Sequence, residues 1–267
     1  MRGAEAHSPE SSGTAFRGQT KREIMNSYVS KLKWKIKVSA YNQNIAQLMK
    51  VVERHLPSLR DARLLDIGCN DGIYTKKYCE RFGIEFANAY GVDYNKENIR
   101  NLPRERFHFH NMDVLRPLPF ADESFDVVVM NQVLEHTKNV AHICCEINRV
   151  SKVGAIIAVS VPNLAALHNR LLLMCGRIPF AIQGMDAHVR GFTRQALRDY
   201  VGNYGFEYLD CVGGGMYPFW GRVSGRLGSL MPQFAVFFTQ VLRKSKACSA
   251  TARRFKEYHD TKLDEFI

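Results

Sequence analysis

The sequence predicts an α/β protein built on a mostly parallel sheet with helices on both faces. Three observations predict it. Short apolar runs (Arg63 to Ile67, Phe125 to Met130, Ala155 to Val161) alternate with stretches of helical periodicity. Continuous apolar runs of that length suit strands buried on both faces. The stretch Leu64-Leu65-Asp66-Ile67-Gly68-Cys69-Asn70-Asp71-Gly72 reads as a strand and a tight turn, with a helix following from Ile73 to Phe82. That is the unit from which parallel sheets are wound. Finally, Asp66, Asp93, Asp113, Asn131 and Asn163 all fall at predicted strand ends, where such sheets bind ligands.

The elements follow in order. Residues 1–20 are polar and lack the apolar centre of a signal peptide, so they read as a disordered tail. Residues 21–58 read as a helical arm. Ile24, Tyr28, Leu32 and Ile36 recur on one helix face, Ile45, Leu48, Met49 and Val52 continue the pattern, and Pro57 ends it. Lys31, Lys33, Lys35 and Lys37 surround Trp34 and suit either phosphate contact or a solvated face.

The main domain takes residues 59–242. Its second strand is expected at Glu85 to Asp93, a short helix at Asn95 to Asn101 and a third strand at Arg106 to Met112. A further helix is expected at Asn139 to Val150. Beyond Val161, Leu164 to Cys175 is helical, and a loop to Gly191 carries Gln183, Asp186, His188 and Arg190. Thr193 reads as the N-cap of a helix to Tyr204. Phe206 to Val212 is a sixth strand. Gly213-Gly214-Gly215 opens a long irregular loop, and Phe234 to Leu242 is the last strand. Residues 243–267 read as a polar tail.

The formal net charge is +11, with the basic excess in the flanks and a mild acidic excess between Asp61 and Val150. Basic flanks suit an anionic partner or simple solubility. The seven cysteines are odd in number and contain no C-x-x-C pair, which argues against a disulfide or metal framework. No apolar run approaches the ~18 residues of a spanning helix. The chain is expected in the cytoplasm.

The Gly68–Gly72 turn excludes two common ligands. A dinucleotide fingerprint would need glycines where Asn70 and Ile73 stand, and no phosphate-loop Gly-Lys-Ser/Thr follows. Asp66 beside the turn repels a pyrophosphate and suits a cation. Gly91-Val92-Asp93-Tyr94 ends the second strand with a carboxylate that can accept both hydroxyls of a ribose. Met112-Asp113 can receive an adenine amino group.

Further on come Pro119-Phe120-Ala121-Asp122-Glu123-Ser124-Phe125-Asp126-Val127-Val128, then Leu134-Glu135-His136, Glu146-Ile147-Asn148-Arg149-Val150 and Val161-Pro162-Asn163. This ordered set resembles the class I S-adenosylmethionine-dependent methyltransferases, in their small-molecule branch, over roughly residues 60–212. The resemblance implies a Rossmann-like sheet of seven strands with the last antiparallel. It implies S-adenosyl-L-methionine as cofactor. Asp66, Gly68, Asn70 and Gly72 would hold its methionine end, Asp93 and Tyr94 the ribose, and Met112 and Asp113 the adenine. Asn131 would lie near the methyl group. Asn70 departs from the family's usual glycine. The segments about 163–192 and 213–232 become acceptor-side insertions. Gly176 to Phe180, His188 to Thr193 and Pro232 to Ala235 are similar, more loosely, to bacterial polysaccharide- and glycolipid-associated and MetW-like methyltransferases.

Methyl transfer needs alignment of acceptor and carbon, and a hydroxyl acceptor must also lose a proton. His136 and His188 are the candidate catalytic residues, with Arg190 suited to an anionic acceptor. No ligand spacing along the chain calls for a metal. The expected acceptor is a small molecule, sugar or lipid-linked compound. Peripheral membrane contact would come through Leu171 to Met174, Tyr217 to Trp220 and Leu227 to Leu242. A nucleic-acid methyltransferase is the alternative. Against it, Asn131-Gln132-Val133-Leu134 lacks the Pro-Pro-aromatic run of enzymes that methylate base amino groups. A non-catalytic cofactor-binding protein is the third reading.

Overall fold

The computed structural model describes residues 38–56, 61–95, 97, 107–182 and 188–248. The expected tail and Trp34 strip, most of the Asn95 to Asn101 helix, Gln183, Asp186 and residues 249–267 lie outside those residues. Seven strands form one sheet: β1 (Leu64–Ile67), β2 (Ala89–Asp93), β3 (His108–Asn111), β4 (Phe125–Asn131), β5 (Ser151–Pro162), β6 (Phe206–Gly214) and β7 (Phe237–Lys244). Their order is β3-β2-β1-β4-β5-β7-β6. β1 pairs in parallel with β2 on one side and β4 on the other. The chain therefore reverses its direction of travel across the sheet between β1 and β4, and the crevice at their carboxyl ends is the natural ligand site. β7 runs antiparallel to both β5 and β6, as expected of the last strand.

The described helices are α1 (residues 38–53), α2 (Ile73–Phe82), α3 (Val140–Val150), α4 (Leu167–Met174), α5 (Arg194–Gly202) and α6 (Gly221–Leu230). On one face of the sheet, α1 and α2 pack Ile45, Leu48, Val52 and Tyr78 against Leu64, Val127 and Val129. On the other, α3 and α5 pack Ile143, Ile147 and Leu197 against Leu65, Val128 and Met130. Alternate residues of β4 thus serve opposite cores, which is why its sequence is apolar throughout. Fully burying each such side chain stabilises by about 1.5–3 kcal/mol. Among the described residues, no helix is long and apolar enough to cross a membrane.

Several elements differ from expectation; β5, for one, starts at Ser151 and not at Ala155. β2 starts only at Ala89, because Phe86–Asn88 forms a 3-10 turn. β7 runs on to Lys244, whose buried ammonium donates to the Ser151 carbonyl at 2.8 Å. A polar residue there is a core residue with a partner, not the start of a tail. The expected loop after Gly215 contains α6. Gly221, Gly225 and Gly228 weaken its helical signal in the sequence. Gly228 serves packing: a Cβ there would lie 2.9 Å from Gly215 backbone atoms, and one at Gly213 only 2.2 Å from the Gly228 carbonyl oxygen.

Candidate active site

The turn after β1 is built from left-handed residues. Gly68, Asn70 and Gly72 have φ of 78°, 50° and 72°. A Cβ at Gly68 would fall 2.3 Å from Val133 Cγ2, so glycine is required there twice over. Asn70 adopts the left-handed region that Asn carries at less cost than most residues, so the turn closes despite its departure from glycine. The loop is strapped to β2. Gly68 and Cys69 N–H donate to the Val92 carbonyl at 2.8 and 3.2 Å, and Asn70 N–H donates to Asp93 Oδ2 at 2.9 Å. Asp93 Oδ1 accepts from Asn95 N–H at 2.9 Å. A carboxylate offers about four acceptor positions, so Asp93 organises both loops and keeps capacity for a diol.

Asp66 is buried, with 3% exposure. It accepts from Thr75 Oγ1 at 2.5 Å and does not cap α2, whose N-cap is Gly72 without a side-chain bond. No basic side chain pairs with it among the described residues. Burial pushes its carboxyl up to about 7, with the Asp93 charge adding to the rise and the Thr75 bond opposing it. A buried acid lacking a counter-ion among the described residues, beside the N-terminus of α2, where Asp71 Oδ1 takes only the Ile73 N–H, fits a ligand that is cationic at one end and carries a carboxylate. The methionine portion of S-adenosylmethionine has both.

The outer positions are less enclosed. Tyr94 is 80% exposed. Met112 N–H donates to the Asp93 carbonyl at 3.0 Å, and its side chain packs on the core. Asp113 is exposed, and its Oδ1 accepts from Leu115 N–H at 2.9 Å in a local turn.

The helix before the sheet supplies residues that the strand-end pattern missed. From α1, Tyr41 Oη accepts from Asn131 Nδ2 at 3.2 Å. Asn44 Nδ2 donates to Ser160 Oγ at 2.7 Å and to Asn131 Oδ1 at 3.4 Å. Burial raises the Tyr41 hydroxyl to about 12, helped by Tyr74, Asp66 and Glu135 and opposed by the Asn131 bond. Tyr41 therefore stays neutral. Its only sequence signal is that Tyr41 and Asn44 lie three apart on one face of a helix.

Beside this lies a second cluster. Leu134–His136 form a 3-10 turn after β4, entered through Gln132 at φ 58°. Glu135 is 1% exposed, and burial pushes its carboxyl up to about 8. Neither of its oxygens accepts a hydrogen bond among the described residues. His136 Nε2 stands 3.9 Å from Glu135 Oε1. The imidazoles of His136 and His188 lie 4.7 Å apart, and Val189 N–H donates to the Glu135 carbonyl at 2.9 Å. Ligand atoms of Glu135, His136 and His188 all fall within 4.8 Å of one another. The absence of ligand spacing along the sequence did not foresee this, because His188 reaches the site only through the fold. Arg190 donates instead to the Lys138 carbonyl at 2.6 Å.

Other motifs hold the site without entering it. Arg149 donates to the Phe120 and Leu118 carbonyls at 2.7 and 2.9 Å and to Asp122 at 2.8 Å. Glu146 accepts from Leu118 N–H at 2.8 Å. The Pro119–Val128 and Glu146–Val150 signatures are thus one brace. Asn163 Nδ2 donates to the Ala235 carbonyl at 2.9 Å and the Gln233 carbonyl at 3.1 Å. Asn163 also bridges to Phe192. Three motifs far apart in sequence meet at this residue.

A family model described as a methyltransferase domain matches residues 40–210, more than half of the chain. A Mycolicibacterium smegmatis protein described as an S-adenosylmethionine-dependent methyltransferase is 28% identical over 56% of this chain and 54% of its own. The ubiquinone biosynthesis O-methyltransferase of Pelagibacter ubique is 27% identical over 48% of this chain and 53% of its own. The chain spans about half the length of these curated relatives. A crystal structure of an S-adenosylmethionine-dependent methyltransferase from Mesorhizobium loti shares the fold with a TM-score of 0.52 at 15% identity, covering 73% of this chain and 96% of that one. Together with the sheet order and the turn geometry, the family match establishes that this chain belongs to the methyltransferase domain family, in its class I, S-adenosylmethionine-dependent form.

Proposed function

We propose that the protein transfers the methyl group of S-adenosylmethionine to a hydroxyl oxygen of a small-molecule, sugar or lipid-linked acceptor. When bound, the cofactor supplies an electrophilic methyl carbon, and the electron pair of the broken carbon–sulfur bond stays on sulfur. Asp66 and the start of α2 take the cofactor's amino-acid end, and Asp93 takes its ribose. Met112 and Asp113 take its adenine. Tyr41 and Asn131 border the reacting end from the arm side. The oxygen reading rests on one observation: the grouping of Glu135, His136 and His188 beside the cofactor turn. A hydroxyl must shed its proton as its oxygen is alkylated, and this cluster can assist that loss, either as a base or through an ion that it holds. That the Pelagibacter ubique relative is named for O-methylation supports the same choice.

The lipid-linked reading draws on exposed side chains of the acceptor half. Leu173 is 56% exposed, Met174 83%, Trp220 75% and Leu230 78%, with Arg170, Arg177, Arg222 and Arg226 exposed among them. Apolar and basic residues together suit an anionic lipid surface. The test is release of S-adenosylhomocysteine from purified protein given hydroxylated acceptors, soluble and lipid-linked, beside amine analogues. Turnover with hydroxyl acceptors alone is expected, and turnover confined to amines would refute the oxygen reading.

A further inference from the structure

We propose that Glu135, His136 and His188 form a binding site for one divalent transition-metal ion. The ligand set is two imidazoles and one carboxylate, from two neighbouring residues and a distant loop, with ligand atoms within 4.8 Å of one another. A set of that composition suits Mn2+, Fe2+ or Zn2+ better than the all-oxygen preferences of Ca2+ and Mg2+. Ligand atoms about 2.0–2.2 Å from a shared ion stand roughly 3–4 Å apart. The cluster therefore needs a closure of about 1 Å, within reach of rotation of the His136 side chain, which is 40% exposed.

A second observation points to a ligand. The Glu135 carboxylate is 1% exposed, and neither oxygen has a hydrogen-bond partner among the described residues. Buried carboxylates are ordinarily satisfied by donors or cations. Its backbone is held: the Glu135 carbonyl accepts from Val189 N–H at 2.9 Å, and that bond also fixes the residue following His188.

The location gives the ion a use. Val133, two residues before Glu135, packs against Gly68 of the cofactor turn, and Tyr41 senses the charges of both Asp66 and Glu135. An ion here borders the cofactor turn and keeps coordination positions open to an acceptor. It would lower the pKa of a bound hydroxyl, whose proton leaves to solvent, and fix its oxygen in place. This consequence rests on the oxygen-acceptor reading; the binding of metal does not.

The experiment is calorimetry of chelator-treated full-length protein with MnCl2 and with ZnCl2, without acceptor. One ion per chain is expected. Glu135→Gln and His188→Ala should each weaken binding at least about thirtyfold while leaving calorimetric affinity for S-adenosylhomocysteine within about twofold. His188 lies on a loop outside both core clusters, so His188→Ala keeps the test valid should Glu135→Gln unfold. Failure of the wild type to take up either ion, or unchanged affinity in the folded variants, would overturn the site. Metal-free protein that still methylates hydroxyls at the wild-type rate would overturn the ion's catalytic use while sparing the oxygen reading.

Discussion

The two ends of the proposed catalytic crevice are built in opposite ways. The cofactor end is made of short-range parts: β1, its left-handed turn and α2 lie within nineteen consecutive residues, Leu64 to Phe82. Asp93 then locks the turn by accepting from the Asn70 backbone. The acceptor end is made of long-range parts. Asn163 ties β5 to the segment before β7, and His188 comes over from a separate loop to His136. The environments differ too. Asp66 is a buried acid without a cationic partner among the described residues, whereas the acceptor side exposes Met174, Trp220 and Leu230. It also buries a histidine, His168, which its enclosure pushes down to about 4. The proposed cofactor grip is thus encoded locally, whereas much of the proposed acceptor wall is assembled from segments distant in sequence.

The sharpest way to break this comparison is through Asp66. Its folded carboxyl lies near 7 against an ordinary 3.8, so the unliganded folded state holds a proton that the unfolded state releases. Stability from this group is therefore fully present below about pH 4 and is lost as pH rises toward 7, on the order of 2–4 kcal/mol. Denaturant midpoints measured from pH 4 to 8 should fall in wild type relative to Asp66→Asn. Affinity for S-adenosylmethionine should move the other way, tightening as the carboxylate forms. Equal pH profiles in the two proteins would show that Asp66 is not the cation site.

Asp93→Ala comes next. It removes two backbone hydrogen bonds to a charged acceptor and the ribose contact. A loss of about 3 kcal/mol corresponds to about a hundredfold weaker S-adenosylhomocysteine binding in calorimetry. Retained affinity would move the ribose site elsewhere. A combined Trp220→Asp and Leu230→Asp change addresses the opposite end. Flotation with anionic liposomes should drop about tenfold with cofactor affinity unchanged, and equal flotation would leave these side chains without a membrane role. The smallest effect is expected at Asn70. Because it already holds φ 50°, Asn70→Gly trades relief of left-handed strain against a more flexible unfolded chain. Cofactor affinity should stay within about twofold.

Some residues that carried the family resemblance stand outside the chemistry. Arg149 and Asp122, prominent in the sequence signatures, form a brace beneath the site. Conversely, Tyr41 and Asn44 enter the site from α1 although nothing in their spacing speaks of chemistry. Glu135 was visible only as part of a motif with His136; its burial comes from packing. A motif records that residues occur together, and physical role depends on where each side chain ends.

The sequence by itself determined the alternation of strand and helix, the left-handed cofactor turn and the acids at strand ends. Those depend on hydrophobic period, glycine placement and local turn chemistry, all of which act within a few residues. Only the tertiary structure decided that α1 completes the crevice, that α6 exists despite its glycines, and that Glu135, His136 and His188 converge. The first and last follow from contacts between segments 52 to 116 residues apart, and α6 from the close approach of Gly228 to Gly213 and Gly215. Such contacts are fixed by close packing and by the satisfaction of buried polar groups, neither of which leaves a period in the chain.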